Sequence, residues 1–342
     1  MIDFRYHLVS LVSVFMALAI GVVLGAGPLR DSIGDTLTSQ VDLLREDRAA
    51  LQLENSDLRA QVAARDAALE ELAPVLADGA LTGTSTVVVA LPGADGGLVD
   101  DLEEQVVAAG GEVTGTVELD PAWVDPDAAA TREDVLAALP DLALNGVEGD
   151  AGTPDALAGA LATAVVAGDD GLVGSASAAG SQVLEALTAA DLADVEGEPS
   201  LRAGTALVVA PAAGAAPTGS AEVDDARAAT DLAVLGALAS TGAGTVLAGL
   251  APGDGTTGDE APDAVALLRG EALADDVSAV DDAGTPAGRL GVVLALRQQA
   301  DGGAGQYGSR DGADAALPPL PPDDAGTAGT TTGQPTTGGG AG

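Results

Sequence analysis

The side chains that carry most enzyme and metal chemistry are scarce in this sequence, and their positions exclude most of it. There is no cysteine, so thiolate nucleophiles, thiolate metal sites and disulfide frameworks are all ruled out. The single histidine, His7, stands before a long apolar run and cannot serve as a base beyond it. Ser175, in Gly174-Ser175-Ala176-Ser177, sits on no nucleophile elbow. Carboxylate pairs recur at Asp100-Asp101, Asp169-Asp170 and Asp224-Asp225, but among 53 acidic residues such neighbours follow from composition and read as solvated faces. Pro92-Gly93-Ala94-Asp95-Gly96-Gly97 stands between a predicted strand and a predicted helix, the context in which backbone amides bind phosphate. It lacks G-x-G-x-x-G spacing, and the chain has no lysine for a P-loop, so a plain strand-to-helix turn is the expectation. No catalytic residue, cofactor site or metal-ligand set is predicted.

Charge and composition narrow the partners. The 342 residues carry a net charge of −40, with every one of the 13 basic residues an arginine. Such a surface repels nucleic acid and anionic lipid headgroups, which bind through Lys and Arg clusters. Aromatic rings are almost absent beyond the N-terminus, where only Trp123 and Tyr307 remain, so any core must be built from Val, Leu and Ala.

The elements that place these residues begin with an uncharged apolar run, Leu8 to Leu29. As a helix it extends about 33 Å, enough to cross a hydrocarbon core of about 30 Å. A cleaved signal has a shorter apolar core, and Gly25-Ala26-Gly27 is followed by Pro28, a poor new N-terminus, so a retained anchor is predicted. Arg5 and His7 before the span favour a cytoplasmic N-terminus (1–7) and an external C-terminal domain. Within the span Ala17, Gly21 and Gly25 recur at four-residue spacing, a pattern that lets two helices approach closely.

Residues 30–78 read as a coiled-coil stalk. Leu37, Leu44, Leu51, Leu58 and Leu72 occupy one heptad position, with Arg65 in the missing slot. Val41, Arg48, Asn55, Val62, Leu69 and Leu76 occupy the other. Leucine at d with valine and one asparagine at a favours a parallel two-stranded coil, so a homodimer is predicted. The alternative is one amphipathic helix packed on its own domain. Pro74 and the following Ala-Asp-Gly are expected to end the stalk.

From 84 to 314 short aliphatic runs alternate with helical segments. Thr86–Leu91, Glu112–Leu119, Thr205–Ala210, Thr245–Leu250 and Gly291–Leu296 read as strands, Leu98–Ala109 and Ala221–Ser240 as helices. Continuous β-branched runs between helices predict a doubly wound, mostly parallel α/β sheet. The likeness of TVVVALPGADGG to TALVVAPAAGAA hints at two related halves. Residues 315–342, Pro-rich and then Thr/Gly-rich, are predicted to be disordered.

The opening Ile2-Asp3-Phe4-Arg5-Tyr6-His7-Leu8-Val9-Ser10-Leu11, the run Val14 to Gly25, and the late Gly305-Gln306-Tyr307-Gly308 before a Pro-rich end resemble the actinobacterial MctB family. The resemblance implies a non-enzymatic envelope protein of copper transport or homeostasis, with copper as a transported ion. Some members of the family are linked to daughter-cell separation and control of wall hydrolysis. The alternative function is therefore a dimeric scaffold that recruits division or wall-hydrolysis proteins. Copper prefers Cys, Met and His ligands, and this chain offers two Met, one His and no Cys.

Overall fold

The structure, a computed structural model, describes residues 4–26, 28–139, 152–168, 172–212, 221–250 and 263–320; of 25, 26, 28–38, 221 and 222 it describes the backbone alone. Compactness divides the chain between Arg65 and Asp66, and each unit is taken by itself. The first holds helix α1 (Phe4–Ala26) and most of α2 (Pro28–Ala77). Phe4–Leu24 has a mean hydropathy of 2.4 and none of it is buried; among the described residues it is the one helix long and apolar enough to cross a membrane. Pro28 begins α2, where its missing N–H is harmless. Pro74 lies inside that helix, which ends at Ala77, the first residue of the Ala-Asp-Gly expected with Pro74 to close the stalk.

The second unit contains a seven-stranded sheet. In chain order its elements are β1 (Ser85–Ala90), α3 (Gly96–Ala108), β2 (Glu112–Leu119), α4 (Ala129–Ala138), α5 (Thr153–Val165), α6 (Ala178–Ala189), β3 (Ala193–Gly197) and β4 (Thr205–Val209). There follow α7 (Ala221–Ser240), β5 (Gly244–Ala248), α8 (Ala264–Arg269), β6 (Val277–Val280), α9 (Pro286–Ala300) and β7 (Gln306–Tyr307). The strand order is β3-β2-β1-β4-β5-β6-β7, parallel throughout except for β3, which runs antiparallel to β2. This is the expected doubly wound sheet, with its order reversing between β1 and β4, the two look-alike segments. Among the described residues the sheet is open, with β3 and β7 at its edges. Transmembrane barrels are antiparallel and closed, so this sheet does not span a membrane.

Strand alternation divides the core into two. Val87, Val89, Val117, Leu119, Ala206, Val208 and Leu247 face a layer built from α5, α6, α7 and α8. Val88, Ala90, Leu207, Val209, Val246 and Ala248 face α3, α9 and the end of α2, where Ala73 and Ala77 are buried. Glu70 on that last stretch of α2 pairs with Arg289 of α9 at 3.3 Å. Edge strand β3 carries the exposed carboxylate of Asp194, and charge on an edge strand discourages further strand addition.

One expected strand is a helix. Gly291–Leu296 lies inside α9, whose start is marked by Thr285, accepting from the Gly288 amide at 3.0 Å, and by Pro286 in the first turn. A short apolar run has no periodicity to separate a buried strand from a buried helix. Here the helix is buried on nearly all sides, from Leu290 to Leu296, between the sheet and its neighbours. The strands β3, β6 and β7 were not foreseen. Of the segment predicted to be disordered, 315–320 is described: Ala315 bridges to Tyr307, and Pro318 is buried. The remainder lies outside the described residues.

Candidate functional site

Parallel α/β sheets bind ligands beyond the carboxyl ends of their strands, and a buried polar cluster lies there, beyond β6 and β7. Asp281 directly follows β6 and its side chain is fully buried. Arg269, the last residue of α8, donates to its carboxylate from a side chain only 8% exposed, at 2.9 Å. The backbone amides of Ser309 and Arg310 donate to the same carboxylate at 2.9 and 3.1 Å. Arg269 also donates to the Tyr307 carbonyl at 2.9 Å and to the Asp311 carbonyl at 3.2 Å. Arg310 pairs with Asp263, which caps α8 by accepting from the Ala266 amide. The guanidinium and two amides satisfy the buried carboxylate, whereas either half left alone in the interior would be strongly unfavourable.

The sequence Gly305-Gln306-Tyr307-Gly308 builds the platform for this cluster. A Cβ on Gly305 would stand 2.3 Å from the Tyr307 hydroxyl oxygen, so the ring closes over a position that only glycine allows. Tyr307 then donates to Gln298 at 2.6 Å, and Gln306 donates to the Ala274 and Val277 carbonyls. Gly308 has φ +125°, and its added Cβ would lie 2.0 Å from an Asp281 oxygen. The two glycines thus let the chain pass directly over the buried carboxylate. Burial raises the Tyr307 pKa above its ordinary value. Burial first, and the neighbouring Asp281 second, raise that of Asp282.

A cavity of about 460 Å³ beside the cluster is lined by Ala266, Arg269, Ser309, Arg310 and Asp311. Both of its arginines already hold carboxylates, and no histidine or thiol stands near Ser309 to activate it. The arrangement clasps the segment after β7 onto α8. It provides no nucleophile–base pair.

The residues singled out in the sequence stay apart. Asp100 and Asp101 lie on α3, Asp101 3.8 Å from Arg289; Asp224 and Asp225 lie on α7; Asp169 and Asp170 fall outside the described residues. Ser177 caps α6, accepting from the Gly180 amide at 3.0 Å. The Pro92–Gly97 turn is capped by its own Asp95, whose carboxylate accepts from the Leu98 amide at 2.9 Å, and that negative group stands where a phosphate would sit. Among the described residues no group of three His, Cys, Asp or Glu is placed to hold a metal ion. On the helices, Gly21 has open space around it, and Leu44, Leu51 and Leu58 are 67%, 64% and 54% exposed, with Asn55 exposed between them. Gly25 and Leu37 lie on the helices with their surroundings outside the description.

Sequence reasoning missed Asp263, Arg269, Asp281 and Arg310, which are dispersed from 263 to 310. The available signal was the glycine pair around Gln306-Tyr307, together with two arginines in a chain that has so few.

The fold and its leading helix define a class: a mixed α/β protein with one N-terminal helix suited to a membrane. The family described as "Copper transport outer membrane protein, MctB" matches residues 1–318. The proteins named "Copper transporter MctB" from Mycobacterium tuberculosis (strain ATCC 25618 / H37Rv) and Mycobacterium bovis are each 33% identical over 330 residues, covering 92% of this chain and 98% of theirs. That from Mycobacterium leprae is 32% identical over 327 residues, with the same coverage. The chain belongs to the MctB family.

Proposed function

We propose that this chain is a membrane-anchored, non-enzymatic envelope protein that contributes to copper transport or homeostasis, with its N-terminus cytoplasmic and its α/β domain outside. The observation that carries this reading is the similarity along 92% of the chain to proteins named copper transporters. Copper is cargo here. With one candidate span among the described residues and donors dominated by carboxylates, the route for the ion is built with other copies or other proteins. Loss of copper tolerance on deletion, restored by the full chain, is the expected result. Copper flux into liposomes holding the purified protein, above that of protein-free vesicles, tests direct transport.

A second reading, a dimeric scaffold that recruits division or wall-hydrolysis proteins, is favoured by the seam of α2, of which Val41, Leu44, Leu51, Leu58, Val62 and Leu72 are exposed in a single chain. Such a seam fits a second copy, and we take the chain to be a homodimer. A deletion strain with normal copper tolerance but chained cells supports the scaffold and counts against transport.

A further inference from the structure

The charges in and beside the α2 seam fix how a second copy lies against it. With Leu44, Leu51 and Leu58 at d, the charged g positions between 40 and 61 are Asp47 and Glu54, and the charged e positions are Arg45 and Arg59. Acid occupies g and base occupies e. All four belong to an exposed stretch of helix, and Arg45 pairs with Asp42 of its own turn at 3.1 Å, an exposed contact of small worth that a partner strand can replace. In a parallel coil each g residue faces the following e residue of the other strand, and these contacts set orientation. Glu54 then meets the partner strand's Arg59. In an antiparallel coil g meets g and e meets e, which sets acid against acid and base against base.

The seam's own cations follow the same logic. Arg48 fills an a position, where an unpaired cation weakens a coil. A knob at a packs into a hole edged by the preceding g residue of the other strand, and that residue is Asp47. Arg65, at d, is followed by Asp66 at e, the residue that edges a d hole. Between them Asn55 meets its own copy, which holds the strands in register. We propose that α2 self-associates as a parallel, in-register two-stranded coil whose orientation is set by Arg48 against the partner strand's Asp47 and by Glu54 against the partner strand's Arg59, around an Asn55 pair. This rests on the homodimer reading and adds to the parallel orientation expected from the heptads the charged residues that choose it.

The absence of native cysteine makes the test clean. Full-length protein in detergent micelles is prepared as Leu44→Cys or Leu58→Cys, and each variant is expected to cross-link to itself under mild oxidation. Mixed together they should give no 44–58 disulfide. Self-cross-linking without the mixed product supports the parallel register, and the mixed product overturns it. Glu54→Arg should loosen the dimer roughly tenfold, since two symmetric contacts turn repulsive. Adding Arg59→Glu should restore affinity to within about threefold. A dimer indifferent to both changes overturns the charge assignment while leaving dimerisation intact. A monomer at all concentrations removes the homodimer reading as well.

Discussion

Helix α2 and the sheet domain use the same aliphatic alphabet to opposite ends. In the domain, Val87, Val88, Val89, Leu207 and Val208 are fully buried because strand alternation gives each face its own layer of helices. On α2, Leu44, Leu51 and Leu58 stand more than half exposed because nothing in their own unit, among the described residues, covers them. The last turns of α2 sharpen the contrast. Ala73 and Ala77 are buried against the domain, while Leu72 of the seam stays 53% exposed. The helix docks through its small residues and keeps its large ones outward, which is the reverse of a helix serving its own core. One region is complete in a single chain. The other presents an apolar face that the proposed dimer would cover.

The largest expected effect tests that division directly. Leu44→Asp with Leu51→Asp removes four leucines from a dimeric seam and should weaken self-association roughly a thousandfold or more. Sedimentation of the full chain in detergent reads the association. The domain's unfolding transition should not move, and if it falls together with dimerisation the two regions are not independent.

The reciprocal experiment breaks the domain and spares the seam. Asp281→Asn leaves Arg269 buried opposite a neutral group, a change that typically costs about 3–5 kcal/mol. Denaturant unfolding should show that loss, while Leu44→Cys cross-linking persists at temperatures where the domain remains folded. A loss under about 1 kcal/mol would mean the clasp is open to water.

A third test uses a weak point within the core. Asp231 on α7 is almost fully buried, its Oδ1 has no hydrogen-bond partner, and burial, offset in part by Arg227, raises its pKa to about 7. Because the folded form binds the proton more tightly than the unfolded chain, at 3.8, the contribution of this group to stability is full below about 4 and is lost as pH rises to about 7. The loss is on the order of a few kcal/mol. Asp231→Leu should flatten this part of the pH–stability curve and raise the melting temperature near neutral pH. An unchanged slope would show that Asp231 does not titrate in this range. The smallest expected effect is at α9. Thr285→Ala removes the hydroxyl that caps it and should cost about 1 kcal/mol in thermal unfolding without touching association.

The legible parts of this protein were those with a long-range pattern. The span and the strands β1, β2, β4 and β5 each repeat a period or a composition over enough residues to stand out. The strand β6 is four residues long and β7 two, too short for any period, and their pairing comes from the sheet rather than from local preference. Gly291–Leu296 failed for a different reason: burial on all sides erases the amphipathic signal, leaving only Thr285-Pro286 to announce a helix. The clasp was hidden because its members come from α8, the end of β6 and the chain after β7. No spacing rule links Asp263 to Arg310 or Arg269 to Asp281.

By itself the sequence determined the apolar helix, the heptad spacing of α2, the mixed α/β class and the shortage of metal and nucleophilic ligands. These are properties of composition and period, which a chain carries before it folds. Tertiary structure alone decided the strand order, the antiparallel edge at β3, the helical state of 291–296 and the burial of Asp281 beneath Gly308. It also decided that Leu44, Leu51 and Leu58 stay uncovered among the described residues, because burial depends on what other elements bring to a surface.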